Sequence, residues 1–197
     1  MLRDATDTRI AVLGLGYVGL PLALALARNG FDVTGFDTST ATVTALREGR
    51  DPNGEVSDDA VATSSATYTH TAADLAGCSV FIIAVPTPIT DAKAPDLNPI
   101  LNACATIAPH LTDGALVILE STVYPGVTGE ICGPALAAGS GLEPGRQIKL
   151  AYSPERVNPG DAEHSMENVV KIIAAQDAET LTRVGTIYAP VVKAGLH

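Results

Sequence analysis

The stretch Ile10-Ala11-Val12-Leu13-Gly14-Leu15-Gly16-Tyr17-Val18-Gly19 decides the fold of this chain. Its four leading apolar residues predict a buried strand, and the three glycines that follow are spaced as G-x-G-x-x-G. The apolar run 20–27 then predicts a helix, and a second strand at 33–36 ends at Asp37. Strand, glycine turn, helix, strand and acid in this order predict a site for a dinucleotide.

Each glycine of the turn has a separate predicted task. Gly14 permits a tight turn out of the strand, and Gly16 has no Cβ atom, so a pyrophosphate can approach the backbone. Gly19 permits close packing of the helix on the strand. The helix N-terminus offers N–H groups and a partial positive charge to the phosphates. Asp37 stands 18 residues after Gly19, near the usual spacing for the acid that binds the ribose hydroxyls.

The residues after the acid favour NAD over NADP as the cofactor. Thr38-Ser39-Thr40 follows Asp37, and the nearest cation downstream is Arg47, whereas a 2′-phosphate usually needs a nearby Arg. The carboxylate of Asp37 would also repel a phosphate. FAD fits the glycine pattern but suits the remaining motifs less well. The structural alternative, a glycine turn that only packs a helix on a sheet, leaves Asp37 without a role.

Composition limits the class of protein. The chain has 197 residues, 46% of them hydrophobic, which suffices for one sizeable domain. Its net charge of −10 argues against nucleic acid and anionic membranes as partners. The three cysteines are widely spaced and form no Cys-x-x-Cys pair, so we predict no disulfide framework, no metal site and a cytoplasmic location. The apolar runs are too short to span a membrane.

Strand and helix patterns alternate along the whole chain. This alternation predicts an α/β fold with a doubly wound, mostly parallel Rossmann-type sheet and helices on both faces. We expect residues 1–8 to be a polar tail without a signal peptide, and 9–197 to form one nucleotide-binding domain. The helices are expected at 20–27, 41–48, 98–110, 128–138 and 177–188. The strands are expected at 10–13, 33–36, 66–69, 79–85, 115–119, 148–152, 169–174 and 191–193.

Three segments leave predicted strands at the edge where such sheets bind ligands. Val85-Pro86-Thr87-Pro88 is either a proline-stiffened connector or a wall beside the adenosine half of a cofactor, with Thr87 as a donor. In residues 120–126, Ser121 and Thr122 are either helix-capping residues or hydroxyls near a nicotinamide. In residues 152–160, Glu155 is either half of a surface ion pair or a carboxylate held for acid–base work.

These segments together resemble the nucleotide-sugar 6-dehydrogenases, the UDP-glucose and GDP-mannose dehydrogenase family. The matching pieces are GLGYVGLPLA at 14–23, VPTP at 85–88, ESTVYPGVT at 120–128 and YSPERVNPG at 152–160. They occur in the family's order and spacing and cover nearly the whole chain. The form of the last piece is most similar to members that oxidise UDP-N-acetylhexosamines rather than UDP-glucose.

The resemblance implies an activity and a set of site residues. Members of the family oxidise the C6 hydroxyl of a UDP-sugar to a carboxylate with two NAD, a reaction that makes uronic acids for polysaccharide biosynthesis. By resemblance, Glu155 helps to activate the hydrolytic water, and Thr122 positions that water and contacts the cofactor. The substrate-binding residues implied are Arg156, Val157 and Asn158. The cofactor-binding residues implied are Gly14, Gly16, Tyr17, Val18, Gly19, Asp37, Thr87 and Ser121.

The chain also departs from the family pattern. Pro159 stands where UDP-glucose enzymes carry a second Glu, and Thr42 stands where a basic residue often follows the ribose acid. The family's catalytic Lys and Asn, its nucleophilic Cys and its UDP-binding domain lie beyond the position of His197. No cysteine here has a matching context, so we expect Cys78, Cys104 and Cys132 to be buried structural thiols. This chain is therefore predicted to bind NAD without turning over a UDP-sugar. We also predict that it forms a homo-oligomer.

Two other functions remain compatible with the fingerprint. A non-catalytic NAD-binding or redox-sensing module would share the glycine turn but would not need Glu155 or Thr122. A dehydrogenase of the 3-hydroxyacid or 6-phosphogluconate type would share the Rossmann half, but the Ser-Pro-Glu-Arg segment at 153–156 argues against it.

Overall fold

One sheet forms the centre of the molecule. A computed structural model describes residues 8–90, 92–155 and 168–197. In these ranges seven strands pair in the order β3-β2-β1-β4-β5-β6-β7, and each neighbouring pair is parallel except β6 with β7. The strands are β1 (Arg9–Leu13), β2 (Asp32–Phe36), β3 (Thr67–Thr69), β4 (Val80–Ile83), β5 (Ala115–Leu119), β6 (Ile148–Tyr152) and β7 (Ala174–Ala175).

Helices cover both faces of this sheet. Successive side chains of a strand point to opposite faces, and residues of β1, β4 and β5 accordingly alternate between two buried clusters. Helices α4 and α5 contribute to one cluster, and α1 and α6 contribute to the other. The predicted doubly wound α/β fold is confirmed. The helices are α1 (Gly19–Arg28), α2 (Thr40–Arg47), α3 (Asp58–Ala62), α4 (Asn98–Ile107), α5 (Gly133–Ser140) and α6 (Ala178–Tyr188).

The central strands are apolar because both of their faces are covered. Every residue of β4 and of β5 is buried, which explains why their sequences are continuous apolar runs rather than alternating ones. Helix α1 is likewise buried along most of its length. Of the helices that the structure describes, none has the length and apolar character needed to cross a membrane.

Two predicted strands near the end of the chain differ from the structure. The predicted strand 169–174 is reduced to an isolated bridge at Lys171 and to the short antiparallel strand β7. Residues 191–193, also predicted as a strand, form turns instead, because the amides of Val191 and Val192 both bond to the carbonyl of Tyr188. Val191 and Val192 are apolar because they are buried against the sheet. The isolated bridge at Lys171 is parallel and pairs it with Leu196.

Two predicted helices also differ in their boundaries. The predicted helix 128–138 is a π-helix, Val127–Cys132, followed by α5. Pro134 lies in the first turn of α5 and has no N–H to continue the preceding hydrogen-bond pattern, which accounts for the break. The predicted helix 98–110 is divided into α4, which begins at Asn98, and a 3-10 turn at 108–110. The side chain of Asp96 accepts the N–H of Asn98 at 2.9 Å.

Asp177, the first residue of the predicted helix 177–188, caps the N-terminus of α6, which begins at Ala178. Its side chain accepts the backbone N–H of Thr180 at 2.7 Å, and the bonds from Thr180, followed by one from Gln176, hold the pKa of Asp177 well below its usual value of 3.8. A carboxyl whose pKa is lowered by folding stabilises the folded state above its unfolded pKa, and this contribution is lost as the pH falls below it.

Asp177→Asn keeps the capping oxygen and removes the charge. We therefore expect this variant to melt at a lower temperature than the parent chain near neutrality, and the difference to shrink below about pH 4, where the melting temperature of the variant falls less steeply. Thermal melts across this pH range measure the difference. Asp113→Asn, at an exposed turn, is the matched control and should retain the parent slope. Equal slopes for Asp177→Asn and the parent chain would contradict the assignment.

Candidate dinucleotide-binding site

A cavity of about 770 Å³ lies where β1, β2, β4 and β5 end. Its volume is in the range of small-molecule and cofactor sites. The walls come from the glycine turn, from one side of α4, and from the segments that follow four strands of the sheet. The predicted site residues among its lining are Gly14, Gly16, Tyr17, Val18, Asp37, Thr87, Ser121, Thr122 and Glu155. The fold therefore brings residues from distant parts of the sequence to one cavity.

The three glycines of the turn differ in the space around them. A Cβ atom on Gly14, whose φ is +88°, would lie 2.8 Å from the carbonyl oxygen of Ala84, and one on Gly19 would lie 1.8 Å from that of Gly14. A Cβ atom on Gly16 would meet no atom within 4 Å. Gly14 and Gly19 thus keep the turn closed, whereas Gly16 borders open space. No side chain caps the N-terminus of α1, so the turn fits a pyrophosphate group.

Asp37 connects the end of β2 to the glycine turn. Its Oδ2 accepts the N–H of Leu15 at 2.9 Å, and its Oδ1 accepts the N–H of Ser39 at 2.8 Å. A carboxylate has about four acceptor sites, so these two bonds leave capacity for ribose hydroxyls. Sequence reasoning identified the carboxylate but missed that it also holds the backbone of the turn.

Two hydroxyls join the segments that follow β4 and β5. Thr87 Oγ1 donates to the carbonyl of Thr122 at 3.0 Å, and Ser121 Oγ donates to the carbonyl of Val85 at 2.6 Å. The family resemblance implies that both residues bind the cofactor. In the structure their donors are engaged with the neighbouring segment, so the two residues shape the cavity wall by fixing one loop against the other.

A buried charged group lies behind the wall that Glu155 forms. Lys171 Nζ is 2.6 Å from Glu120 Oε2 and 2.9 Å from Glu155 Oε2, and Tyr188 donates its hydroxyl to Glu120 Oε1 at 2.5 Å. The side chain of Glu155 is only 8% exposed, so it is not a surface carboxylate. Burial raises the pKa of Glu120, with Lys171 opposing the shift, and burial also raises the pKa of Tyr188.

Sequence reasoning missed Glu120, Lys171 and Tyr188 as members of this group. A signal was present in each of two segments: Glu120 directly follows the apolar strand ALVIL, and Lys171 interrupts the apolar run VVKIIAA. A charged residue in such a run is rarely buried unless it is paired. No pattern indicated which partners they would find.

The other predicted site residues and the cysteines have different outcomes. Arg156, Val157 and Asn158 lie outside the described residues. All three cysteines are buried as predicted, and none is among the residues that line the described cavity. Within the described ranges, no group of three or more His, Cys, Asp or Glu side chains could hold a metal ion.

The sequence and the fold are similar to those of known proteins. A model of the NAD-binding domain of the UDP-glucose/GDP-mannose dehydrogenase family matches residues 8–192. Protein CapL of Staphylococcus aureus is 43% identical over 191 residues, covering 97% of this chain and 45% of the relative. The UDP-N-acetyl-D-glucosamine 6-dehydrogenase of Pseudomonas aeruginosa is 42% identical over 192 residues, with the same coverage. The solved UDP-D-ManNAc dehydrogenase of Pyrococcus horikoshii superposes with a TM-score of 0.83 at 34% identity, covering 96% of this chain and 46% of that one.

The fold and the cavity define a dinucleotide-binding domain of a dehydrogenase. The chain belongs to the UDP-glucose/GDP-mannose dehydrogenase family, and it is an NAD-binding domain of that family. It spans about half the length of the curated relatives that it matches.

Proposed function

We propose that this chain supplies the NAD-binding half of a dehydrogenase that oxidises the C6 hydroxyl of a UDP-N-acetylhexosamine to a carboxylate in two NAD-dependent steps. The observation that carries the proposal is one cavity shared by the open glycine turn, Asp37 and Glu155. Two relatives, a UDP-N-acetyl-D-glucosamine 6-dehydrogenase and a UDP-N-acetyl-D-mannosamine dehydrogenase, support this sugar class. Residues 9–197 form the binding domain in this proposal, and 1–8 are a tail.

The cofactor's parts are assigned to separate walls of the cavity. The pyrophosphate lies over Gly16, at the N-terminus of α1, and the adenosine ribose donates its hydroxyls to Asp37. NAD, when bound, accepts a hydride from the substrate carbon. Thr87 and Ser121 act mainly through the wall that their hydrogen bonds hold together. The complete proposed cofactor-binding set is Gly14, Gly16, Tyr17, Val18, Gly19, Asp37, Thr87 and Ser121.

Glu155 and Thr122 are the proposed catalytic residues. Both line the cavity with the cofactor-binding residues, and a poorly solvated carboxylate beside an ammonium can hold and deprotonate a water molecule. Arg156, Val157 and Asn158 are proposed to contact the UDP-sugar. A sensing module that only bound NAD would have no need of a buried carboxylate on the cavity wall, so we favour the enzyme.

The cellular setting is part of the same proposal. The uronic acid product suits polysaccharide biosynthesis in the cytoplasm, and we propose a homo-oligomer that binds neither nucleic acid nor membranes. The net charge of −10 supports the last point. For this chain alone we propose NAD binding without turnover, because covalent catalysis needs a thiolate within reach of the substrate and the three cysteines are buried away from the cavity.

Calorimetric titration of the purified chain tests the proposal. We expect NAD to bind at least about tenfold more tightly than NADP, a difference of ~1.4 kcal/mol. Asp37→Ala should weaken NAD binding by about 10- to 100-fold, because it removes charge-assisted hydrogen bonds. Ser39→Ala removes the cap of α2 beside Asp37 and should leave the affinity for NAD nearly unchanged, which controls for local loosening.

Two results would overturn the proposal. The absence of any binding heat with NAD would contradict the proposed nucleotide site. NADH fluorescence appearing when UDP-N-acetylglucosamine is added to this chain with NAD would show turnover that the described cysteines cannot explain.

A further inference from the structure

The buried lysine behind the cavity wall is not one of the residues to which the proposed function assigns a role. Its ammonium group lies between two carboxylates, at 2.6 Å from Glu120 and 2.9 Å from Glu155. The side chains of Lys171, Glu120 and Glu155 are 4%, 0% and 8% exposed. Charged groups this poorly hydrated are stable only when they are paired and hydrogen-bonded.

Backbone hydrogen bonds to the last residues of the chain fix the position of Lys171. Its backbone N–H donates to the carbonyl of Gly195, and its carbonyl accepts the N–H of His197. Glu120 Oε2 accepts from the ammonium, while Glu120 Oε1 accepts from the hydroxyl of Tyr188. The ring of Tyr188 also lies 5.5 Å from Lys171 Nζ, within cation–π range. The ammonium therefore cannot follow a movement of Glu155 without breaking other contacts.

The side chains of this buried group differ in whether they line the cavity. Glu120 and Glu155 are among its lining residues, whereas Lys171 and Tyr188 are not. Among the described residues, the two carboxylates are what connects Lys171 to the cavity. Two further hydrogen bonds tie together the segments that carry these residues: the N–H of Glu155 bonds to the carbonyl of Glu120 at 3.4 Å, and Ser153 Oγ donates to the carbonyl of Ile172 at 2.9 Å.

We infer that Lys171 is a positioning residue that, anchored by Glu120 and Tyr188, holds the carboxylate of Glu155 at the cavity wall. The inference rests on the proposed catalytic role of Glu155. In that role the ammonium restricts the rotamers of Glu155, so that its carboxylate meets a water molecule in one orientation. Glu120 orients the ammonium group of Lys171, and the hydroxyl of Tyr188 orients the carboxylate of Glu120.

Carbon-13 NMR of the full chain labelled at glutamate carboxyls tests the inference without a nucleotide. The Glu155 resonance is assigned by its loss in Glu155→Gln. In Lys171→Met we expect this resonance to shift and broaden, and in Lys171→Arg to return toward its parent position, because the guanidinium restores a charged donor. Lys149→Met is the matched control: its pair with Asp177 is longer, at 3.7 Å, and more exposed, so Glu155 should be unaffected.

A second variant covers the case in which Lys171→Met does not fold. Tyr188→Phe removes one hydroxyl and keeps the packed ring, and we expect a smaller shift of the Glu155 resonance in the same direction. A Glu155 resonance that stays at its parent position in folded Lys171→Met, or in Tyr188→Phe where the first variant does not fold, would overturn the inference and leave Lys171 with a purely structural role. A chain that failed to bind NAD would overturn the proposed function and leave this NMR result intact.

Discussion

Gly19→Ala should destabilise the chain by about 3 kcal/mol or more and abolish NAD binding, because overpacking against rigid backbone is at the upper end of its usual cost. The added Cβ atom would lie 1.8 Å from the carbonyl oxygen of Gly14, far inside contact distance, and 3.3 Å from Ala84 Cβ. Alanine favours a helix over glycine by about 1 kcal/mol, which is too little to offset the clash. Chemical denaturation measures the stability, and calorimetry measures the affinity for NAD.

Gly16→Ala separates the two effects. A Cβ atom at this position meets nothing within 4 Å, so we expect a free energy of unfolding within about 0.5 kcal/mol of the parent. The methyl group would instead occupy the space assigned to the pyrophosphate, and NAD affinity should fall at least about tenfold. Parent-like stability in Gly19→Ala, or parent-like NAD affinity in Gly16→Ala, would show that the turn is used differently.

Lys171→Met should lower the free energy of unfolding by about 3–5 kcal/mol, the usual cost of removing one partner of a buried ion pair. Methionine has a similar length and is apolar, so the loss does not come from a large cavity. It comes from Glu120 and Glu155, which remain buried without the ammonium that both contact. Urea unfolding followed by circular dichroism gives the measurement.

Two further variants test this explanation. Adding Glu120→Gln to Lys171→Met removes one of the stranded charges and should recover part of the lost stability. Lys149→Met breaks a partly exposed pair and should cost no more than about 1 kcal/mol. If the double variant were as unstable as the sum of the single variants, the buried charge would not be the cause.

The glycine turn shows what can be predicted from residues that are close together in the sequence. The turn, its flanking strands and Asp37 lie within 28 residues, and each task follows from a property of one residue type, such as the absence of Cβ in glycine. The same holds for Asp177, whose capping role depends on a backbone N–H three residues away. The family resemblance rests on segments of the same local kind.

Partners that are distant in sequence were not predictable in this way. Ser121 was predicted near the cofactor and it lines the cavity. Its hydrogen bond to Val85 was not predictable, because it depends on β4 and β5 being adjacent and parallel, which brings the segments after them together. Residues 191–193 were expected to form a strand on composition alone, although their hydrogen bonds close turns after α6.

The sequence by itself determined the alternation of strands and helices, the glycine turn, the carboxylate at Asp37 and the family, because these depend on residues close together in the chain. Only the tertiary structure decided that Lys171 lies between Glu120 and Glu155, 51 and 16 residues away. The physical reason is that a buried ammonium is stable only when it is paired with carboxylates. The order of strands in the folded sheet, and not proximity in the sequence, places Glu120 and Glu155 next to it.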